Sequence, residues 1–333
     1  MKNDFGSIFK NEMQEFIAYT VSCGMAHKTK ANALLQFDKY LMKIGLNEKK
    51  LDRHIFYDYI RSKENIKART VEAYTNTVRS FSKYLIEIKK YEGIHIPDCF
   101  HSNVGKSSFI PYVFTYDEIG RILECAHGFE PYNMSYPNRD ILLPCIFTML
   151  YCTGMRIGEL LSLKAEDVDL DKRVIYINEA KNDNKRLVTM SESLFEECRC
   201  YLIKLNQRKS QGIYFFDSGR FDNDGKIGRD FVYRSYRKIL NMVGIKHIKG
   251  KGPRLHDLRV TFCCHSLHKI SKMEIDTNLY LNYLSVYMGH KSIRETQYYL
   301  WLTYDVFNDT LIKMNNYTSF VDGILKQGEK TDE

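Results

Sequence analysis

Four short segments of this chain hold side chains able to do chemistry: TGMRIGELLSL at 153–163, EAKNDNKRLV at 179–188, RLHDLRVTF at 254–262 and MGHKSIRETQYYL at 288–300. Read chemically, the side chains of interest among them are Arg156 and Arg259, Lys181, His256 and His290, and the adjacent Tyr298 and Tyr299. Singly these mean little, since a lone arginine near a helix start is usually a surface ion pair and a lone tyrosine usually packs half-buried. His256 and Arg259 stand three residues apart, which on a helix puts both on one face. As a set they meet the needs of one reaction, attack of a tyrosine on a phosphodiester. A phenol with a pKa near ~10 needs a base or strong stabilisation of its anion at neutral pH. The phosphate gains a second negative charge at the transition state, and two guanidiniums can clamp its non-bridging oxygens bidentately. The alkoxide leaving group wants a proton, which a mobile lysine can supply.

Competing chemistries lack their motifs. There is no GxxxxGK[ST], no GxGxxG after a strand, no HExxH and no GxSxG. Nucleotide hydrolysis, dinucleotide redox, zinc proteolysis and esterase chemistry therefore have no sequence support. Cys263, Cys264, His265 and His268 match no common zinc spacing, and FCCHSLH reads as a helix filling a core, so no metal is expected there. The nine cysteines are scattered and include no CxxC pair, which fits reduced thiols in a cytoplasmic protein. The first residues have no signal-peptide pattern, and no window approaches the ~18 consecutive apolar residues of a membrane span.

The elements that must position these groups are mostly helical. Met13, Phe16, Ile17 and Val21 repeat at helical spacing, as do Leu34, Leu35, Phe37 and Leu41. A third helix is expected near Leu51–Lys63. A fourth begins near Thr70 with an apolar stripe of Val71, Tyr74, Val78, Phe81, Leu85 and Ile88. Two of the six prolines, Pro97 and Pro111, fall with Gly93, Gly105 and a polar run in a linker-like stretch. Beyond it, Thr115-Tyr116-Asp117-Glu118 is a capping box. An apolar helix from Ile141 to Cys152 stops at Gly154, and a short helix follows over Arg156–Leu163. Val174–Ile177 and Arg186–Met190 read as a hairpin around the polar turn Lys181–Lys185, and Tyr214–Phe216 as a short aromatic strand. The expected fold is mainly α with a small antiparallel β-sheet: a helical domain over 1–103, a linker over 104–112 and a second domain over 113–333.

The charge is uneven. Of the formal +8, residues through Tyr112 hold 18 Lys+Arg against 12 Asp+Glu, and the remainder 31 against 29. A basic front domain suits a polyanionic partner.

The four segments resemble the motifs of the tyrosine recombinase (phage integrase) superfamily, over about residues 113–315. TGxRxxEL matches Thr153–Leu160, with Arg156 in the first arginine's place and Glu159 in that of a supporting acid. The family's β-turn lysine falls on Lys181, HxLR on His256–Arg259, and the Gly-His box on Gly289-His290. The family's nucleophile lies nine positions after that histidine, which selects Tyr299 over Tyr298. Phrases such as GKGPRLHDLR and QYYLWLT are most like recombinases of transposons and integrative elements. Val260 stands where many relatives carry a histidine, the segment Lys269–Leu281 is longer than in the shortest relatives, and a separate arm-type DNA-binding domain is not expected ahead of the first helix.

The resemblance implies a SAM-like core-binding domain before a catalytic domain, and site-specific strand exchange on double-stranded DNA without metal, ATP or another cofactor. Arg156, Arg259 and His290 would hold the scissile phosphate. Lys181 would protonate the leaving 5′-hydroxyl, His256 would assist proton transfer, and Tyr299 would form the 3′-phosphotyrosine. It also implies a tetramer on DNA linked by exchange of a C-terminal helix, for which Val306, Phe307, Thr310, Leu311 and Met314 offer the apolar stripe. Candidate phosphate contacts are Lys28, Lys30, Lys67 and Arg69 in front and Lys185, Arg186, Lys249, Lys251 and Arg254 behind. Two other readings share the scaffold: a non-catalytic DNA-binding accessory factor, and a type IB topoisomerase.

Overall fold

The computed structural model describes residues 4–24, 28–98, 110–130, 136–178, 185–210, 212–219, 225–246, 252–273, 277–290 and 292–306. The chain divides into two compact units, Met1–Phe109 and Ile110–Glu333.

The first unit contains α1 (Lys10–Ser22), α2 (Lys28–Lys43), α3 (Arg53–Arg61) and α4 (Ala68–Glu87). The apolar stripes read from spacing meet in one core, where Met13, Phe16, Leu34, Phe37, Leu41, Val78, Phe81 and Leu85 are all buried. Aromatic edges set much of the packing, with Phe16 against Phe81 at 5.5 Å and Phe37 against Tyr59 at 5.0 Å between ring centres. Buried Asp38 on α2 accepts from the backbone N–H groups of Gly6 and Ser7 at 2.8 and 2.9 Å, which fixes the approach to α1. Val21 and Ile88 lie at the ends of their helices, past the core, and are exposed.

The second unit contains α5 (Tyr116–His127), α6 (Arg139–Thr153), α7 (Ile157–Leu160), β1 (Val168–Asp169), β2 (Val174–Ile177), β3 (Arg186–Thr189), α8 (Glu192–Gln207), α9 (Arg229–Met242), α10 (Asp257–Ser271), α11 (Thr277–Met288) and α12 (Ile293–Val306). Helix α6 is apolar all round because it lies at the centre, packed by α5, α8 and α10, with every residue from Ile141 to Leu150 buried. The expected capping box at α5 is present: the Thr115 hydroxyl accepts from Glu118 N, and the Glu118 carboxylate from Thr115 N.

The sheet is antiparallel in the order β1-β2-β3, one short strand more than the hairpin expected. Ile175 pairs with Val188 and Ile177 with Arg186. Ile175, Ile177 and Val188 are buried while Leu187 is exposed, the two-residue alternation of a half-buried strand. Tyr214–Phe216 does not form the strand expected of it. Among the described residues it makes one isolated bridge, Lys164 to Tyr214. The Tyr201 hydroxyl on α8 donates to Phe215 O and accepts from Asp217 N, both at 3.0 Å, so these backbone groups are taken before a ladder can extend. The side chains of Phe215 and Phe216 are buried in the core instead.

Candidate active site

The site is built where three helix ends converge. The first is the end of α6. Gly154 adopts a left-handed conformation (φ 61°) that ends the helix, and Arg156 follows as the N-cap residue of α7. The Glu159 carboxylate reaches back to accept from Arg156 N at 2.9 Å and from Arg156 Nη1 at 2.8 Å. It thereby caps the short helix and orients the guanidinium with the same two oxygens.

The second is the start of α10, which carries Arg259, only 3% exposed. Its Nη1 donates to Gly154 O and its Nη2 to Met288 O, both at 2.7 Å. Those carbonyls stand at the ends of α6 and α11, so one guanidinium joins three helices. Arg156 Nη2 donates to Gly289 O at 3.4 Å, so both arginines lean on the α11–α12 corner. His256 is the residue just before α10; it is exposed and lines an open cleft with Arg156, Arg259, Ile157, Tyr233 and Leu255.

The third is the corner between α11 and α12. Gly289 is left-handed (φ 63°), and His290 Nδ1 lies 2.8 Å from Thr296 Oγ1. The His290 ring lies nearly parallel to that of Tyr299, 5.7 Å away. Tyr299 is 8% exposed and its neighbour Tyr298 46% exposed, because α12 packs on α10 and turns only one of the two inward. Thr303 Oγ1 donates to Tyr299 O at 2.8 Å. Beneath this wall lie Cys263 and Cys264, buried with Leu267, Leu284, Met288 and Leu302. His265 is engaged elsewhere. Its Nε2 faces Phe114 O at 2.9 Å and so carries the proton, leaving Nδ1 to accept from the Tyr151 hydroxyl at 2.9 Å.

The electrostatics follow from one carboxylate held by two guanidiniums, Arg156 and Arg186. Arg186 Nη2 donates to Glu159 Oε2 at 2.7 Å and Arg186 Nη1 to Oε1 at 3.3 Å, while its Nε donates to Tyr287 O at 2.8 Å. Glu159 is buried, which alone would raise its pKa, but the paired arginines outweigh burial and hold it at about 2. His290 is pushed down to about 3 by burial and then by Arg259, Arg156 and Arg186. His256 is pushed to about 4 by burial of the ring among protein atoms and by Arg259 and Arg254. Its outer surface nonetheless meets solvent. Both imidazoles are therefore neutral at pH 7 and able to accept or share a proton. Burial and the nearby Cys263 push the Tyr299 phenol up to about 12, against the pull of Arg259. A site this positive, with a protonated phenol beside Arg259, is suited to an anion bearing more than one charge.

Five of the six expected catalytic residues thus gather at one corner of the fold: Arg156, Arg259 and His256 line the cleft, and His290 and Tyr299 lie beside Arg259. Lys181 falls in 179–184, outside the described residues, as do Lys249 and Lys251, and so does the side chain of Lys28. Lys67 and Arg69 are exposed beside the N-terminus of α4, and Lys30 lies 6.0 Å from the Phe16 ring. Lys185 is exposed. Arg254 remains 43% exposed while pairing with Asp257 at 2.8 Å. Arg186 departs from expectation. Its side chain is 7% exposed and committed to Glu159 and Tyr287 O, so it is not a surface phosphate contact. The strand pattern held the signal for this: Arg186 stands two residues before buried Val188 and shares its inward face. Tyr233, in the cleft wall, was missed because an exposed tyrosine on a helix has no distinguishing spacing.

The model of the family described as "Phage integrase family" matches residues 113–305 of this chain. The chain is 31% identical over 194 residues to the y4rB protein of Sinorhizobium fredii, named as an integrase/recombinase, an alignment spanning 57% of this chain and 61% of that protein. It is 24% identical over 250 residues to the tyrosine recombinase XerA of Pyrococcus furiosus, covering 74% of this chain and 78% of that one. Among solved structures, the XerH site-specific recombinase bound to palindromic difH substrate superposes with a TM-score of 0.60 at 19% identity, covering 81% of this chain and 74% of that one. That likeness extends the shared fold beyond the family-matched segment.

Proposed function

Because this chain belongs to the phage integrase family, within the tyrosine recombinase superfamily, we propose that it is a site-specific recombinase acting on double-stranded DNA. One observation supports the reading: the buried member of the tyrosine pair, Tyr299, stands beside His290 and Arg259, next to a cleft lined by the two anchored arginines Arg156 and Arg259. In this reaction Arg156, Arg259 and His290 hold the non-bridging oxygens of the scissile phosphate. Tyr299 Oη attacks phosphorus, the bond to the 5′-oxygen breaks, and a 3′-phosphotyrosine forms. Lys181 gives its proton to the departing 5′-oxygen, and His256, neutral at pH 7, takes up the phenolic proton directly or through water. The covalent bond conserves the phosphodiester energy, so a 5′-hydroxyl of another strand reseals it without ATP. The substrate is the end of a mobile element, on the strength of the transposon-like phrases around the motifs.

Assembly is proposed as a tetramer linked through the segment that follows α12. In its support, α11 presents Leu279, Tyr283 and Val286 on one exposed face, at 53, 65 and 73% exposure, an apolar surface of the kind a partner helix covers.

The test uses nicked duplexes from the flanks of the protein's own gene, without metal or ATP. Wild type is expected to give a protein–DNA adduct resistant to SDS, retained in Tyr298→Phe and lost in Tyr299→Phe. Loss only in Tyr298→Phe would move the nucleophile. Tight binding by wild type with no adduct would favour the accessory-factor reading.

A further inference from the structure

We infer that Arg186 is a positioning residue whose charge lets Glu159 orient Arg156 without cancelling the charge that Arg156 brings to the phosphate. The inference rests on the phosphodiester reading of Arg156.

Glu159 is 3% exposed, and both of its oxygens are shared. Oε1 accepts from Arg156 Nη1 at 2.8 Å and from Arg186 Nη1 at 3.3 Å; Oε2 accepts from Arg156 N at 2.9 Å and from Arg186 Nη2 at 2.7 Å. A lone buried pair of Arg156 and Glu159 would be neutral as a unit, and an approaching phosphate would meet a guanidinium already compensated. Adding Arg186 makes the unit a net monocation. With its side chain 7% exposed, Arg186 is too deep to be screened by water or to touch DNA itself. Its third bond, Nε to Tyr287 O at 2.8 Å, ties the same guanidinium to the end of α11. A Cβ on Gly289 would lie 2.9 Å from Arg186 Nη1, so the corner that presents His290 rests directly on this group. Arg186 also opens β3, five residues after Lys181 in the sequence.

A purely structural role would cost folding and nothing else. A charge role makes a different prediction, read with two matched nicked duplexes carrying either a phosphate or an uncharged methylphosphonate at the scissile position. For Arg186→Gln we expect cleavage of the phosphate linkage to fall on the order of a hundredfold, the scale of one unit charge acting over ~6 Å at an effective dielectric of about 20. On methylphosphonate, whose transition state carries one negative charge instead of two, the loss should shrink to about tenfold. Glu159→Gln added to Arg186→Gln restores the net charge while keeping an acceptor for Arg156 N, and should recover at least about tenfold of the lost rate. Arg186→Lys, which keeps the charge, should stay nearer to wild type than Arg186→Gln. Equal losses on both linkages, or no recovery in the double variant, would overturn the inference. Should Arg186→Gln fail to fold, the comparison of Arg186→Lys with the double variant decides it: the double variant must retain most of the preference for the charged linkage. A second readout needs no cleavage. In a Tyr299→Phe background, the ratio of affinities for the phosphate and methylphosphonate duplexes should drop when Arg186→Gln is added, and an unchanged ratio refutes the role. If wild type makes no adduct on any DNA, the recombinase reading fails, and this ratio still decides what Arg186 does.

Discussion

Lowering the pH should unfasten the carboxylate that holds the two arginines, and Glu159→Gln should make the second unit blind to that change. The carboxyl is held at about 2 against an ordinary 4.5, chiefly by Arg186 and Arg156 working against the cost of burial. Because the folded value is depressed, its contribution is complete above about 4.5 and is lost as pH falls toward about 2. Each tenfold of acidity is worth ~1.4 kcal/mol, so the contribution is about 3 kcal/mol. Solvent screening takes little from this, since the Glu159 side chain is 3% exposed and that of Arg186 7%. Truncating one partner of a buried pair costs ~3–5 kcal/mol, which is the same scale reached independently. The assay is urea unfolding of wild type and Glu159→Gln at a series of pH values between 7 and 2, followed by the fluorescence of Trp301. That residue is the one tryptophan of the chain and lies on α12, so it reports the second unit. Taking the difference between the two proteins cancels the other carboxylates. Wild type should be the more stable by about 3 kcal/mol at pH 7, and the two curves should converge near pH 2. Curves that stay parallel across that range would refute the reasoning, because the advantage would then not come from an ionised carboxylate.

Two further substitutions probe how the fold positions the site. Gly154→Ala should destabilise the second unit by about 1–3 kcal/mol and slow cleavage more than it weakens DNA binding, checked by urea unfolding beside single-turnover rates. The backbone there is left-handed, a Cβ would fall 2.4 Å from Phe262 Cδ1, and the Gly154 carbonyl is one of the two that anchor Arg259. Thr115→Ala should cost about 1 kcal/mol through loss of the α5 cap and leave adduct formation per folded molecule unchanged, since Thr115 touches nothing in the cleft.

The helices were legible in the sequence, as were the residue types that gather at the candidate site, Lys181 lying outside the described residues. Helical spacing of large apolar residues is enough to specify which faces of α1 to α4 are buried, because a helix that hides one stripe has few ways to do so. Local chemistry is equally legible: Thr115 and Glu118 form their capping box within four residues, and Gly154 ends α6 where only a left-handed residue fits. The residues alone left Tyr298 and Tyr299 open; the resemblance to the family points to Tyr299, and helix α12 turns that tyrosine inward and Tyr298 outward.

Tertiary structure alone decided how charge is distributed. In sequence Arg186 is one more cation after Lys185, and nothing but its parity with Val188 distinguishes a buried clamp from a surface contact. Its partner Glu159 lies 27 residues away, so their pairing depends on how the hairpin packs beside α7. The carbonyls of Gly154 and Met288 that fix Arg259 are 105 and 29 residues distant from it, and no local pattern announces them. Tyr214–Phe216 failed as a strand for the same reason: a hydroxyl from α8 reached its backbone first. Periodicity records which side chains leave water. Which buried polar groups then find one another is a property of the assembled fold, because each must be satisfied by whatever partner packing brings within ~3 Å.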